Sequence, residues 1–136
     1  FRTADAFLLS GVYLCGYTPC PPHRDIQKTA LGATESVSWK YFQHSTSAIA
    51  TLKEDGYRIM AVEQVEASTP LQRVIRDEKE NEKLAVIFGN EVTGVDERVL
   101  LLCDQCIEIP QLGSKHSLNI SVAAGIVLWE LVRRIV

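Results

Sequence analysis

No apolar run in this sequence is long enough to span a bilayer, which takes about 20 residues of helix. No charged leader followed by a short apolar stretch stands at the start of the sequence, and we expect no secretory signal. There is no glycine-rich P-loop, no Gly-x-Gly-x-x-Gly after a strand and no Gly-x-Ser-x-Gly elbow. That removes nucleotide hydrolysis, dinucleotide binding of the familiar kind and α/β-hydrolase chemistry as leading readings. Repeats and low-complexity segments are absent. Positive charge is in short supply: 14 Lys and Arg stand against 17 Asp and Glu, a net charge of −3. This argues against holding nucleic acid by bulk charge alone, but leaves room for a local basic patch. The acidic excess lies between Glu63 and Glu108. We expect a soluble, cytoplasmic protein. The chain opens at Phe1 rather than at a methionine, and we expect further residues upstream.

Cysteine is sparse, at four residues: Cys15, Cys20, Cys103 and Cys106. Cys103 and Cys106 form Cys-x-x-Cys, half of a zinc site or a redox pair, but Cys15 and Cys20 are loosely spaced for a second half. Both members of the close pair sit at the edge of apolar segments, so we read them as small core residues with free thiols. His116 has no second histidine near it in sequence, and we expect no metal site.

What the chain does have is alternation. At 136 residues and 46% hydrophobic content it suits one domain with a real core. Apolar strands are predicted at 11–15, 57–62, 84–89 and 106–109, with a weaker extended segment at 36–42. Helical spacing runs over 45–55, with Ser45 or Ser47 as cap and Gly56 as stop. A cap at Asp96 opens a helix to Cys103. A turn at 68–71 leads into a short helix with Pro70 at its first position. Residues 77–83 form a charged connection. The last helix runs from Leu118 to Val136 and is apolar nearly all round, which predicts burial on more than one face. Strand and helix in alternation give an α/β fold with a mainly parallel sheet flanked by helices.

Polar residues interrupt this pattern at three element ends, where α/β folds place ligands. Arg2 belongs to a helical segment, Arg2-Thr3-Ala4-Asp5-Ala6-Phe7, ahead of the first strand. Gly89-Asn90-Glu91-Val92-Thr93-Gly94 follows an apolar strand, with a carboxylate between two glycines that permit close backbone approach. Ile109-Pro110 ends the last strand. A glycine-containing loop then leads through Ser117-Leu118-Asn119 straight into the apolar helix. Each has a plain alternative: a surface arginine, a turn, and a helix cap at Ser117 or Asn119.

Taken in order, these three segments resemble the SpoU (TrmH-like) family of RNA 2′-O-ribose methyltransferases, within the SPOUT class. The resemblance covers essentially the whole chain, 1–136, as one catalytic domain with a truncated N-terminus. It implies a C-terminal trefoil knot, which the general rules of chain topology would not choose. It implies S-adenosyl-L-methionine as cofactor, lined by Gly89, Ile109 and Leu118. Catalytic positions carried over are Arg2, Glu91 and Asn119, with Ser117 assisting. The partners implied are tRNA or rRNA and a second copy of the chain in a homodimer, which would double any basic patch formed by Arg2, Arg24 and Lys28. The asparagine that family members carry before the arginine falls upstream of Phe1, and Gln111 replaces a residue that is often methionine. The alternative is a catalytically inactive knotted RNA-binding module. A retained polar trio of Arg2, Glu91 and Asn119 favours the enzyme, and the Ser-Leu-Asn step favours ribose over a base nitrogen as the methyl acceptor.

Overall fold

The computed structural model describes residues 1–74, 82–90, 93–114 and 117–133. Tertiary contacts divide the chain into two compact units, Phe1–Ala48 and Ile49–Val136.

The first unit opens with helix α1 (Arg2–Ala6) and strand β1 (Val12–Cys15), as the apolar spacing predicts. Two short helices follow, α2 (Arg24–Ala30) and α3 (Ala33–Ser36), then strand β2 (Trp39–Phe42). β1 and β2 pair in parallel, Val12 opposite Trp39 and Cys15 opposite Phe42. The Ser36 hydroxyl donates to the Asp5 carboxylate at 2.7 Å and ties α3 to α1. Neither α2 nor α3 is marked in the sequence. α2 is polar along most of its length, with only Ala30 buried, and its cap is His23, whose Nδ1 accepts the Asp25 amide. Histidine lies outside the residue types that usually announce a helix start.

Helix α4 (Ser45–Glu54) follows, and Ser45 and Ser47 both fall inside it rather than before it. Gly56, at φ 85°, ends it. The second unit then holds four parallel strands: β3 (Arg58–Val62), β4 (Thr69–Pro70), β5 (Leu84–Phe88) and β6 (Gln105–Glu108), in the spatial order β4-β6-β3-β5. Pro70 closes β4 and precedes a 3-10 turn, Leu71–Arg73, so it lies outside the helical turn rather than at its first position. Most of the charged connection expected at 77–83 lies outside the described residues. Helix α5 (Glu97–Leu100) is shorter than its apolar run suggested, and Asp96 caps it by accepting the Arg98 amide at 2.8 Å.

Strand alternation sends side chains to both faces of the sheet. Met60, Ile107, Val86 and Phe88 pack on one side with Val127 and Leu131 of the last helix, α6 (Ile120–Val132). Ile59, Ala85 and Ile87 pack on the other with Ile49 of α4 and Val99 of α5. β5 is thus covered on both faces, as its unbroken apolar run predicts, but it is an edge strand and stays half-buried. Within the single chain α6 is buried on one face only. Ala123, Val127, Leu128 and Leu131 are buried, while Val122, Ile126 and Trp129 are exposed, Trp129 by 58%. One face of this helix is core and the other is surface within the single chain.

Candidate active site

β3 lies between β5 and β6, so the chain leaves β5 on one side of β3 and returns as β6 on the other. In parallel sheets, such a reversal opens a crevice beyond the carboxyl ends of the strands. A cavity of about 330 Å3 lies there, within the size range of small-molecule sites. Each of the three strands contributes its end: Val62 and Glu63 from β3, Phe88 and Gly89 from β5, Glu108 and Ile109 from β6. The loop after β6 supplies Gln111, Ser117 and Leu118, and the first turn of α6 supplies Ile120 and Ala123. The wall is mixed. Apolar residues Val62, Phe88, Ile109 and Leu118 stand beside polar ones, among them Glu63, Gln64, Thr93, Glu108 and Ser117.

The expected cofactor positions Gly89, Ile109 and Leu118 therefore come together, with Ser117 beside them. The reason for glycine at position 89 differs from the one expected. A Cβ there would lie 2.3 Å from the Gly94 carbonyl carbon and 2.4 Å from the Val95 nitrogen. Gly89 lets the two ends of the loop meet, and the loop then forms one wall of the cavity. Asn90 and Gly94 seal it by a pair of backbone hydrogen bonds of 3.1 and 2.8 Å, and the Thr93 amide donates to the Asn90 side chain. Glu91, expected to be catalytic on this loop, lies outside the described residues, as does His116.

Ser117 and Asn119 were alternative caps for the last helix. Asn119 takes that role: its side-chain oxygen accepts the Ser121 amide at 2.8 Å. Ser117 lines the cavity instead. Capping engages only the carbonyl end of the Asn119 side chain, and its NH2 group remains a donor. Arg2 is the first residue of α1 in the first unit, with its side chain exposed.

Glu63 is a site residue that sequence reasoning missed. Its Oε2 accepts the Val95 amide at 2.8 Å and its Oε1 the Gln64 amide at 3.2 Å. A single carboxylate after a strand forms no pattern that would have marked it.

The Cys-x-x-Cys pair lies in other surroundings. Cys103 packs beside the cluster of Ile49, Ile59 and Val99, and its thiol donates to the Val99 carbonyl. Burial, and then the neighbouring Cys106, push the Cys103 thiol up to about 11. A thiol held protonated at neutral pH is a poor nucleophile and a poor metal ligand. Among the described residues no three histidine, cysteine or carboxylate side chains cluster as metal ligands, and no helix is long and apolar enough to cross a membrane.

Known proteins share this sequence pattern and fold. The sequence matches the SpoU rRNA Methylase family over residues 1–129. It is 41% identical, across 98% of its length, to a tRNA (guanosine(18)-2′-O)-methyltransferase of Thermus thermophilus, and covers 66% of that protein. It is 35% identical over 105 residues, 77% of its length, to the Borreliella burgdorferi protein of the same name, and covers 46% of it. The fold superposes on an AdoMet-bound rRNA methyltransferase from Sinorhizobium meliloti with a TM-score of 0.88 and 26% identity, covering 99% of this chain and 50% of that one. The chain thus spans about half to two thirds of the length of these relatives. With its motifs in order, its strand ends and last helix gathered around one cavity, and a match along nearly its full length, the chain belongs to the SpoU rRNA Methylase family.

Proposed function

We propose that this chain transfers a methyl group from S-adenosyl-L-methionine to a ribose 2′-hydroxyl of tRNA or rRNA. The observation that carries the reading is the cavity itself, which unites the Gly89 loop, the Ile109 strand end and the Ser117–Leu118 step. Its chemistry fits the cofactor. Apolar residues at Ile109 and Leu118 suit a flat base, and backbone groups at loop ends suit its polar edge. Bound there, S-adenosylmethionine supplies a methyl group already activated for transfer.

The protein is left with alignment and removal of a proton from the ribose hydroxyl. Arg2 is the residue we assign to the reacting hydroxyl. Its guanidinium does not deprotonate near neutral pH, so it is not a free base. It positions a substrate phosphate and stabilises the developing alkoxide. Glu91 is assigned to catalysis as the family motif implies, and the Asn119 NH2 group and Ser117 hold the loop that meets the reaction centre. In this reading residues 1–136 form the catalytic domain, and the last strand and α6 thread a trefoil knot. The protein works in the cytoplasm as a homodimer, to which the exposed apolar face of α6, with Val122, Ile126 and Trp129, is suited.

The test is transfer of labelled methyl to total tRNA and to rRNA, with the product digested to nucleosides. A 2′-O-methylnucleoside is expected. Arg2→Ala should lower transfer by roughly 10²-fold or more while cofactor binding, read by calorimetry, is kept. Unchanged turnover in that variant contradicts the assignment of Arg2. A wild-type protein that binds cofactor and RNA without transfer supports the inactive binding module instead.

A further inference from the structure

Glu63 begins where β3 ends. Its amide donates to the Ile107 carbonyl at 3.0 Å, so its backbone is fixed to β6. From that anchored position its half-buried side chain reaches the far end of the Gly89 loop. Oε2 accepts the Val95 amide at 2.8 Å. The same oxygen lies so close to Gly94 that a Cβ there would stand 2.2 Å from it. Gly94 has φ +70°, a left-handed backbone that favours glycine, and the Glu63 carboxylate packs directly against it. Glu63 also lines the cavity.

We propose that Glu63 is a positioning residue for the site: its carboxylate latches Gly94–Val95 to the end of β3 and thereby fixes the loop wall of the cavity. The proposal rests on the reading of that cavity as the cofactor site. The bonds within the loop, between Asn90 and Gly94 and from the Thr93 amide to Asn90, close the turn on itself but do not fix where it stands. Among the hydrogen bonds described for the Asn90–Val95 segment, the one from Val95 to Glu63 runs from the loop to a different strand. An ionised acceptor makes that bond about twice as strong as a neutral one. Val95 also packs in the core with Ile49, Ile59 and Val99, so removing the bond leaves the turn formed and its end packed, but loosens the backbone at Gly94–Val95 and with it the cavity wall on that side.

The experiment compares wild type with Glu63→Ala and Glu63→Gln. Exchange of the Val95 amide proton is followed by NMR without cofactor, S-adenosylmethionine binding by calorimetry, and folding by thermal melting. In Glu63→Ala, Val95 exchange should rise and cofactor affinity fall, each about tenfold, as expected for one lost hydrogen bond that orders a loop. The glutamine variant retains an oxygen acceptor of the same reach and should recover both to within about threefold of wild type. Val95 exchange unchanged in Glu63→Ala overturns the latch, and this arm is read with no cofactor present. Glutamine that protects Val95 but binds cofactor as poorly as alanine also overturns it, because the charge and not the latch then matters. Wild type that binds no S-adenosylmethionine overturns the cofactor reading, and Val95 exchange still decides the role of Glu63.

Discussion

A methyl group added at Gly89 has nowhere to go. Its carbon would sit inside the van der Waals envelope of the Gly94 carbonyl carbon and the Val95 nitrogen, both backbone atoms that no rotamer change can move aside. Gly89→Ala must therefore push the loop off the end of β5. The expected cost is about 1–3 kcal/mol, the range for overpacking a close-packed site, measured by denaturant titration. The same variant should lose cofactor affinity, since the displaced segment is a wall of the cavity. At this scale the sequence is partly legible. Gly89, Ile109, Ser117 and Leu118 lie in segments that break apolar runs, but the family resemblance named them as site residues, and the structure gathers all four. The reason for Gly89 was not legible, because it depends on a residue pair five positions downstream closing back upon it. Glu63 was not legible either. Its partner, Val95, is 32 residues away, and nothing local distinguishes this carboxylate from a solvated one.

Elements were read best where apolar periodicity or a cap of ordinary type marked them. Strands β1, β3, β5 and β6, the stop at Gly56 and the cap at Asp96 all carry such marks. Helices α2 and α3 carry neither, being short, polar and, for α2, capped by a histidine ring nitrogen. The last helix shows the limit of composition. Its residues are apolar nearly all round, yet Trp129 and Val122 face outward, because hydrophobicity alone does not say which surfaces are covered within one chain. At its N-terminus Asn119 combines a structural and a proposed functional role, and these can be separated. Asn119→Ala removes the cap and should cost about 1 kcal/mol, a fall of roughly 3–6 °C in melting temperature for a domain of this size. Asn119→Asp keeps the capping oxygen and loses the NH2 group. It should melt close to wild type and still fail in methyl transfer. If the aspartate variant transfers methyl normally, Asn119 is a helix cap and nothing more.

For the whole molecule, alternation of strand and helix was enough to give a parallel α/β arrangement, and the four-stranded sheet of the second unit bears this out. The order β4-β6-β3-β5 was not readable, since periodicity reports which face a side chain takes but not which strand lies next to which. That order places the cavity: with β3 between β5 and β6, three carboxyl-terminal strand ends meet the first turn of α6. The trefoil knot we propose is a property of the path of the chain and leaves no mark on residue spacing. It came from the ordered motifs, as did the choice of S-adenosylmethionine over other small ligands. The net charge of −3 likewise says little about RNA, because net charge does not report where basic residues are presented.

The most direct test of the account is a titration of the 15.1 kDa chain with S-adenosylmethionine, followed by amide NMR. The amides of Gly89, Gly94, Ile109 and Leu118 should shift together along one saturable curve, while those of the β1–β2 pair in the first unit move little. Saturable shifts confined to other residues, or no shift at millimolar cofactor, would contradict the assignment of the cavity as the cofactor site.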